Sequence, residues 1–235
     1  MNLHRTRIKI CGLTREEDVA AAVAAGADAI GFVFDPKSPR YVTPQRAAEL
    51  IAGLPPFVTA VGLFVNVPAQ EVADIVRVAP VSLLQFHGDE TAEQCALAAA
   101  AANRPFIRAF RVKPSTAGSE LLEYDAQCRA SSRLHAAHFA GLLFDTHVDA
   151  YGGAGKVFDW SVIPKELAHR AVLSGGLSVQ NATGAVAQVR PWAVDVSSGV
   201  EAAKGIKDAG LIAQFIAAVE AGDAIPGNDA QVRTA

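Results

Sequence analysis

The sequence has little of what nucleic-acid-binding and membrane proteins need. Its 235 residues carry 21 Lys and Arg against 24 Asp and Glu, a net charge of -3, and they form no basic stripe. This balance provides no electrostatic attraction toward nucleic acid. No segment offers the roughly 20 consecutive apolar residues that a membrane-spanning helix requires, and the first residues lack the apolar stretch of a signal peptide. We therefore predict a cytoplasmic protein that binds neither nucleic acid nor membrane.

The sequence is also poor in signatures of metals, disulfides and cofactors. Its three cysteines, Cys11, Cys95 and Cys128, are widely spaced and form no CxxC pair, which fits reduced thiols better than a disulfide framework or a zinc site. Five of the six histidines lack a carboxylate partner at metal-ligand spacing: His4, His135, His138, His147 and His169. No GxGxxG follows the first predicted strand, and the glycine-rich stretch 151–156 has the wrong spacing for a P-loop. We predict no metal and no cofactor.

What the sequence does have is a regular alternation of strand and helix patterns. A hydrophobic content of 51% supports a large core, and 235 residues approach the roughly 250 that are typical of a (β/α)8 barrel. Apolar, β-branched runs alternate with alanine-rich helical segments, which indicates βα repeats of parallel strands. The runs lie near residues 7–11, 29–34, 58–65, 81–86, 106–110, 140–144, 171–174 and 193–197. We predict an α/β protein with a (β/α)8 TIM barrel; an open doubly wound sheet is the alternative.

No glycine- or proline-rich linker divides the chain, so we predict a single barrel domain over residues 1–221 and a flexible, polar tail over 222–235. Two helix starts carry local signals. Thr14 precedes Glu17 by three residues, which is the spacing of a capping box, and Thr43 precedes Pro44, which places a capping hydroxyl before a first-turn proline.

Two reactive side chains follow predicted strands. Cys11 closes the first run and Asp145 closes the sixth, and parallel barrels place their chemistry at this end of the strands. The pair can serve as base and acid. Because side chains alternate, Lys9 shares a face with Cys11 at about 7 Å along the strand, and a neighbouring cation is expected to lower the pKa of a thiol. The alternatives are a buried structural cysteine and an aspartate that caps a loop.

Small residues follow the last two predicted strands and suggest a site for phosphate. Glycines let backbone N–H groups approach an anion closely, and barrels often bind phosphate at the loops after strands seven and eight. An ordinary tight turn is the alternative. The residues concerned are Gly175, Gly176, Ser197, Ser198 and Gly199.

Arg40 and His87 lie on other predicted loops at the same rim. The loop before Arg40 contains two prolines, so its guanidinium is held in a restricted region where it can bind a carboxylate in a bidentate manner. A solvated surface arginine is the alternative. His87 follows the fourth run, and we assign it a supporting position without a chemical step.

With these residues the chain resembles the phosphoribosylanthranilate isomerase family of the tryptophan pathway. The matching blocks occur in the family's order and extend over roughly residues 9–207, with no distinctive match over 112–138. They are KICGLT at 9–14, GFVFDPKSPRYV at 31–42, VGLFVN at 61–66, LLQFHGDE at 83–90, LLFDT at 142–146, YGGAGKVFDW at 151–160, LSGGL at 173–177 and VDVSSGVE at 194–201.

The resemblance implies an Amadori rearrangement of N-(5-phosphoribosyl)anthranilate to 1-(2-carboxyphenylamino)-1-deoxyribulose 5-phosphate. It implies that Asp145 is the general acid and Cys11 the general base, that Arg40 contacts the anthranilate carboxylate, and that Asp195 meets a sugar hydroxyl. The small-residue turns after the last two strands match the family's phosphate site. The implied partner is a small phosphorylated molecule, and the protein is expected to be a monomer or a homodimer.

Two other functions remain open at this point. Another phosphate-binding barrel enzyme of the same pathway, such as indole-glycerol-phosphate synthase, would need lysine and glutamate side chains at strand ends in a set that this sequence does not assemble. A non-catalytic phosphosugar-binding barrel would use the glycine turns, but it would have no use for both Cys11 and Asp145. A turnover assay separates these possibilities.

Overall fold

The structure, a computed structural model, describes residues 5–146 and 157–226 and consists there of alternating strands and helices. The strands are β1 (Arg7–Cys11), β2 (Ala29–Val33), β3 (Thr59–Phe64), β4 (Leu83–Phe86), β5 (Phe106–Val112), β6 (Phe139–Thr146), β7 (Val172–Leu173), β8 (Ala193–Val196), β9 (Glu201–Ala203) and β10 (Ile206–Lys207). The helices are α1 (Glu16–Ala25), α2 (Pro44–Ala52), α3 (Ala69–Val78), α4 (Ala92–Ala102), α5 (Gly118–Leu134), α6 (Lys165–Ala168), α7 (Ala182–Val189) and α8 (Ala209–Ala224).

Strands β1 to β8 form a closed barrel in which each strand pairs in parallel with the next. Closure comes from β8 pairing with β1, where Lys9 lies opposite Asp195. The predicted TIM barrel is therefore confirmed. An antiparallel hairpin, β9 and β10, follows β8 and stands outside the barrel sheet. Within the described residues, no helix has the length and apolar character needed to cross a membrane.

The predicted strand positions agree with the observed ones, apart from their ends. Strand β7 comprises only Val172 and Leu173, whereas β6 continues through Asp145 to Thr146. Asp145 is therefore part of its strand rather than of the following loop. Its backbone pairs with β5, in register with Arg111, so the sheet itself holds the aspartate in place.

The core has two layers because side chains alternate across each strand. Inside the barrel a small apolar cluster contains Ile107, Ala109, Leu143, Val172 and Ala193. A larger cluster lies between the strands and the helices. There, phenylalanine rings from neighbouring strands contact one another with centroid separations of 5.3 to 6.1 Å, a distance at which aromatic pairs stabilise a core. These rings belong to Phe34, Phe64, Phe86, Phe106 and Phe139.

One of the two predicted helix starts is confirmed and the other is wrong. The Thr43 hydroxyl accepts a hydrogen bond from the Arg46 amide, with proline at the first turn of α2. In contrast, α1 begins after Arg15 without a side-chain cap. The Thr14 hydroxyl instead donates to the carbonyl of Gly205 at 3.1 Å, so a tertiary partner on the β9–β10 hairpin replaces the local one.

The C-terminal helix continues beyond residue 221, where we predicted that the tail begins. Helix α8 extends to Ala224, and Gly222 is buried within it. The Asp223 carboxylate accepts hydrogen bonds from the amide and the hydroxyl of Thr6, both at 2.7 Å. The first residues of the predicted tail are thus helical and attached to the start of the barrel. Residues 227–235 lie outside the described residues.

Candidate active site

The C-terminal ends of the barrel strands open on a cavity of about 600 Å³. All predicted site residues line it except Lys9 and Gly199. Lys9 lies two residues before Cys11 on the same face of β1, and Gly199 lies in a turn behind the rim. The predicted residues on the cavity wall are Cys11, Arg40, His87, Asp145, Gly175, Gly176, Asp195, Ser197 and Ser198.

The base side of the cavity is built on β1 and β8. Lys9 Nζ donates to Asp195 Oδ1 at 2.8 Å, and both side chains are about 6% exposed. Gly31 on β2 lies opposite Cys11, and a Cβ atom there would come within 2.8 Å of Cys11 Sγ and 3.0 Å of Lys9 Nζ. The absence of a side chain at Gly31 therefore makes room for the thiol and the ammonium group.

Burial has the largest single effect on the ionisation of Cys11 and Lys9. Burial raises the pKa of the Cys11 thiol; the Lys9 ammonium lowers this pKa, the Asp195 carboxylate raises it, and the net pKa lies above that of an ordinary thiol. Our prediction that Lys9 lowers the pKa of Cys11 is confirmed in direction, but burial and Asp195 outweigh this effect, which we did not foresee. Burial also lowers the pKa of Lys9, but Asp195 and Cys11 outweigh it, and the pKa of Lys9 is raised. Asp195 thus stabilises the lysine as a cation beside the thiol.

The acid side of the cavity is a chain of hydrogen bonds between β4 and β6. Asp145 Oδ2 lies 2.9 Å from His87 Nε2, and Asp145 Oδ1 accepts from the Thr146 amide at 2.8 Å. Gln85 Nε2 lies 3.0 Å from His87 Nδ1. With this orientation of the Gln85 amide, Nδ1 accepts a hydrogen bond and the hydrogen on Nε2 points to Asp145. His87 therefore contacts the acid directly.

Gln85 is a residue of this site that our sequence analysis missed. Its side chain is fully buried and reaches the cavity wall. A signal for it was present, since it stands on β4 two residues before His87, and side chains two residues apart in extended backbone point to the same side. Its Oε1 atom has no hydrogen-bond partner among the described residues, so the contact with His87 is made by the Nε2 end of the amide.

A second missed group holds the loop that carries His87. Arg108 on β5 is buried and donates to the carbonyl oxygens of Phe86, Gly88 and Glu90 at 3.0, 3.1 and 2.9 Å. The Glu90 carboxylate accepts from the Gly88 amide at 2.9 Å. Charged side chains thus satisfy the backbone of this loop and keep His87 at its place beside Asp145.

The turn after β7 has the backbone expected of a glycine turn. Gly175 and Gly176 have φ values of +81° and +68°, which lie in the left-handed region that favours glycine. A Cβ atom on Gly175 would lie 2.4 Å from the Thr146 amide nitrogen and 2.7 Å from Asp145 Oδ1. Gly175 therefore lies against the acid as well as on the cavity wall, which our sequence analysis did not foresee.

The turn after β8 connects the rim to the base strand. The Ser197 hydroxyl donates to the carbonyl oxygen of Cys11 at 3.0 Å. A Cβ atom on Gly199 would lie 2.0 Å from the carbonyl oxygen of Leu177. Gly199 is thus needed for the close approach of the two turns and does not face the cavity.

Arg40 is already paired in the structure. Its Nε and Nη2 atoms donate to the two carboxylate oxygens of Glu201 at 2.7 and 2.9 Å. The alternative of a solvated surface arginine therefore does not hold, because the Arg40 side chain is 14% exposed and lies on the cavity wall. Asp195 likewise has partners, with Ser174 Oγ 3.4 Å from its second carboxylate oxygen.

Within the ranges 5–146 and 157–226, no group of three or more His, Cys, Asp or Glu side chains is arranged to hold a metal ion. The stretch 151–156, whose spacing differs from that of a P-loop, lies outside the described residues.

Residues 8–218 match the family model of N-(5'-phosphoribosyl)anthranilate (PRA) isomerase. The chain is 65% identical over 222 residues to the N-(5'-phosphoribosyl)anthranilate isomerase of Herminiimonas arsenicoxydans, covering 94% of this chain and 96% of that protein.

Solved structures agree with the sequence relatives. The phosphoribosyl anthranilate isomerase of Thermotoga maritima superposes with a TM-score of 0.79 and is 41% identical in sequence. The match covers 92% of this chain and 99% of that structure. A phosphoribosyl anthranilate isomerase in complex with reduced 1-(o-carboxyphenylamino)-1-deoxyribulose 5-phosphate has a TM-score of 0.76 and 38% identity, with the same coverage. The chain therefore belongs to the N-(5'-phosphoribosyl)anthranilate isomerase family.

Proposed function

We propose that Asp145 and Cys11 act as general acid and general base in the isomerisation of N-(5'-phosphoribosyl)anthranilate, the tryptophan-pathway reaction of this family. The product is 1-(2-carboxyphenylamino)-1-deoxyribulose 5-phosphate. The observation that carries these assignments is the position of the two side chains. They stand at the C-terminal ends of β1 and β6 and line one cavity, together with the glycine turn after β7.

The acid step opens the sugar ring. Protonated Asp145 gives its proton to the ring oxygen, the bond from C1' to that oxygen breaks, and the anilino nitrogen lone pair forms a Schiff base. Asp145 is left as a carboxylate. The Thr146 amide and His87 Nε2 lie 2.8 and 2.9 Å from its two oxygens and stabilise this charge, because hydrogen bonds to a carboxylate favour its ionised form.

The base step moves the double bond. The Cys11 thiolate removes the proton from C2', the electrons pass toward the nitrogen, and an enolamine forms that tautomerises to the ketone. Hydrogen leaves C2' and is returned at C1', so the substrate is oxidised at one carbon and reduced at the other without an external oxidant. Lys9 favours the thiolate because its ammonium group lies beside the sulfur.

Substrate binding would use the remaining residues of the rim. We assign the phosphate to Gly175, Gly176, Ser197 and Ser198, which line the cavity and lie in the two turns where barrels often bind this group. We assign the anthranilate carboxylate to Arg40. The cavity of about 600 Å³ is within the range of sites for small-molecule ligands.

The proposed site needs one chain only, so a monomer and a homodimer are both compatible with it. Light scattering on the purified protein distinguishes the two states. We expect the protein in the cytoplasm, and fractionation of cells tests this location.

The function is tested by following the fluorescence of freshly generated phosphoribosylanthranilate in the presence of the protein. We expect consumption of the substrate by the wild type and at least about 10²-fold slower turnover by Cys11→Ala or Asp145→Asn, which is typical for the loss of a proton-transfer group. Binding without turnover would favour a non-catalytic phosphosugar-binding barrel. If neither substitution affected turnover, the assigned roles would be contradicted.

A further inference from the structure

Glu201 is a buried acid at the rim to which the mechanism above gives no role. It begins β9, and its carboxylate is 6% exposed. Both of its oxygens are occupied: Oε1 accepts from Arg40 Nε at 2.7 Å and from Lys207 Nζ at 2.9 Å, and Oε2 accepts from Arg40 Nη2 at 2.9 Å. A carboxylate held between two cations next to the cavity requires an explanation beyond the general stability of the fold.

The geometry of the guanidinium group supplies that explanation. Arginine has five N–H donors in a planar arrangement, so it can bind a carboxylate along the Nε and Nη2 edge or along the Nη1 and Nη2 edge. Glu201 occupies the first edge. The hydrogen bonds of Arg40 to other side chains within 5–146 and 157–226 use Nε and Nη2 and not Nη1, so the second edge keeps donors for a ligand.

We propose that Glu201 is a positioning residue that fixes the Arg40 guanidinium so that its remaining edge binds the carboxylate of the substrate. The inference rests on the proposed function, in which Arg40 is the partner of the anthranilate carboxylate. Charge-assisted bidentate pairs are geometrically specific, and holding a binding group in its final geometry lowers the entropic cost of binding a ligand.

Lys207 offsets the negative charge that Glu201 places beside Arg40. An isolated pair of Arg40 and Glu201 is neutral and would attract a carboxylate only weakly. The Lys207 ammonium, whose side chain is fully buried, brings a second positive charge to the group of three. Burial lowers the pKa of Lys207, and the adjacent Glu201 carboxylate opposes that shift and favours the charged form. Lys207 Nζ also donates to the carbonyl oxygen of Ser197 at 3.0 Å, which connects the group to the turn proposed for phosphate.

The β9–β10 hairpin holds both charged residues. Lys207 on β10 is in register with Glu201 on β9, and the Lys207 amide donates to Asp18 Oδ2 on α1 at 3.2 Å. At the tip, Gly205 lies so close to the loop before Arg40 that a Cβ atom would come within 2.7 Å of the Pro39 carbonyl oxygen. The hairpin is thus attached to the barrel and to the Arg40 loop.

The Arg40 stem is fixed from its other side as well. A Cβ atom on Gly12 would lie 2.4 Å from Arg40 Cδ, so the arginine stem packs directly on the backbone that follows Cys11. With the stem against Gly12 and one edge against Glu201, the guanidinium has little freedom to rotate.

Two other roles of Glu201 predict different results. If Glu201 only stabilises the hairpin, its loss should weaken every ligand of the site equally or not at all. If Glu201 competes with the substrate for Arg40, its loss should strengthen carboxylate binding. Positioning predicts weaker binding that depends on the ligand carboxylate and on Arg40.

The test compares Glu201→Gln with the wild type by calorimetry, using two probes. The first is reduced 1-(o-carboxyphenylamino)-1-deoxyribulose 5-phosphate and the second is the same compound without the carboxylate. We expect the variant to bind the first probe about tenfold more weakly, which corresponds to about 1.4 kcal/mol, and to bind the second like the wild type. In turnover, KM should rise while kcat changes by less than about twofold.

Two further variants complete the test. Glu49→Gln removes an exposed carboxylate from another arginine, Arg46, at 2.8 Å, and should leave both affinities unchanged. Glu201→Asp keeps the charge but shortens the side chain by one methylene. It should also weaken binding of the first probe and leave binding of the second unchanged. It serves as the readout if Glu201→Gln does not fold, which circular dichroism shows.

The decisive comparison is Glu201→Gln in an Arg40→Ala background, where its effect should vanish because the residue acts through Arg40. Equal weakening of both probes, tighter binding of the first, or the same loss without Arg40 would overturn the inference while leaving the isomerase function intact. A wild type that turns over no substrate would instead contradict the proposed function.

Discussion

The two sides of the active site hold their reactive groups by different means. On the base side, Cys11 lies beside a buried ion pair of Lys9 and Asp195, whose side chains are about 6% exposed. On the acid side, Asp145 belongs to a hydrogen-bonded chain with His87, and these side chains are 14 to 15% exposed. The base thus lies beside two buried charged groups, and the acid lies beside hydrogen-bond donors at the edge of the cavity.

This difference follows from what each step requires. A buried thiol favours its neutral form, so a base in that position needs a fixed cation to become a thiolate. The acid must lose and regain a proton in each cycle, and the hydrogen-bond donors beside it stabilise its carboxylate. Because an ion pair in a dry site interacts more strongly than a neutral hydrogen bond, substitutions on the base side should have larger effects on stability.

Removal of the reactive groups should have the largest effect on both sides. We expect Cys11→Ala and Asp145→Asn each to lower kcat by at least about 10²-fold while the barrel stays folded, as measured by substrate fluorescence and circular dichroism. Cys95→Ala is the matched control, since Cys95 is another buried thiol, on α4, and burial raises its pKa to about 12. If Cys95→Ala were as slow as Cys11→Ala, the assignment of Cys11 as the base would be contradicted.

The ion pair provides the next largest effect and a test of sign. Removing one partner of a buried pair leaves the other uncompensated, so Lys9→Met and Asp195→Asn should each lower the free energy of unfolding by about 3–5 kcal/mol. Lys9 lowers the pKa of Cys11 and Asp195 raises it. Lys9→Met should therefore shift the alkaline-going rise of kcat/KM to higher pH, and Asp195→Asn should shift it to lower pH.

These shifts can be measured by thiolate absorbance of the free enzyme, with Cys11→Ala subtracted. Cys95 and Cys128 contribute little below strongly alkaline pH, because burial raises the pKa of each to about 12. Shifts of the same sign in both variants would show that the pair does not act on Cys11 as opposing charges.

The glycine beside the acid provides an effect of intermediate size. Gly175 and Gly26 both have φ in the left-handed region, at +81° and +99°, so an alanine at either position should cost about 1–3 kcal/mol of stability. Only at Gly175 would the new methyl group collide with Asp145. We expect Gly175→Ala to lower kcat by about tenfold in addition, because misplacing a catalytic group by 1 Å can cost up to ~10²-fold.

The matched variant Gly26→Ala, where no atom beyond the adjacent residues lies within 4 Å of the added methyl group, should keep the wild-type kcat. Thermal unfolding and steady-state kinetics on both variants give the comparison. Equal kcat values in the two variants would show that the contact of Gly175 with the acid has no catalytic consequence.

Gln85 should have the smallest effect, and one on activity rather than on stability. Gln85→Leu removes the hydrogen bond to His87, and a net hydrogen bond is worth about 0.5–1.5 kcal/mol, so kcat should fall by about two- to tenfold. Stability should not fall, because the leucine also removes the unpartnered Oε1 atom. Nitrogen NMR of the His87 ring reports its tautomer, and an unchanged tautomer in the variant would contradict this role of Gln85.

The fold and the positions of the reactive groups were predictable because they depend on local patterns. Strand alternation placed Lys9 on the face of Cys11, and the end of each apolar run placed Cys11 and Asp145 at one rim. Local patterns misled at Thr14 and gave no information about the partner of Arg40, because both residues bond to distant segments. Thr14 donates a hydrogen bond to Gly205, 191 residues away, and Arg40 pairs with Glu201, 161 residues away. The sequence around Thr14 and Arg40 does not indicate these contacts.

The sequence by itself thus determined the barrel class, the family and the residues that reach the rim, since periodicity, strand ends and motif order are properties of the chain. Only the tertiary structure decided which charges meet and how strongly each is buried. The pKa of Cys11 illustrates the division. The lysine two residues away in sequence lowers this pKa, but burial by the surrounding strands and the carboxylate of Asp195 raise it above its ordinary value. Dielectric environment and long-range pairing exist only after the barrel has closed.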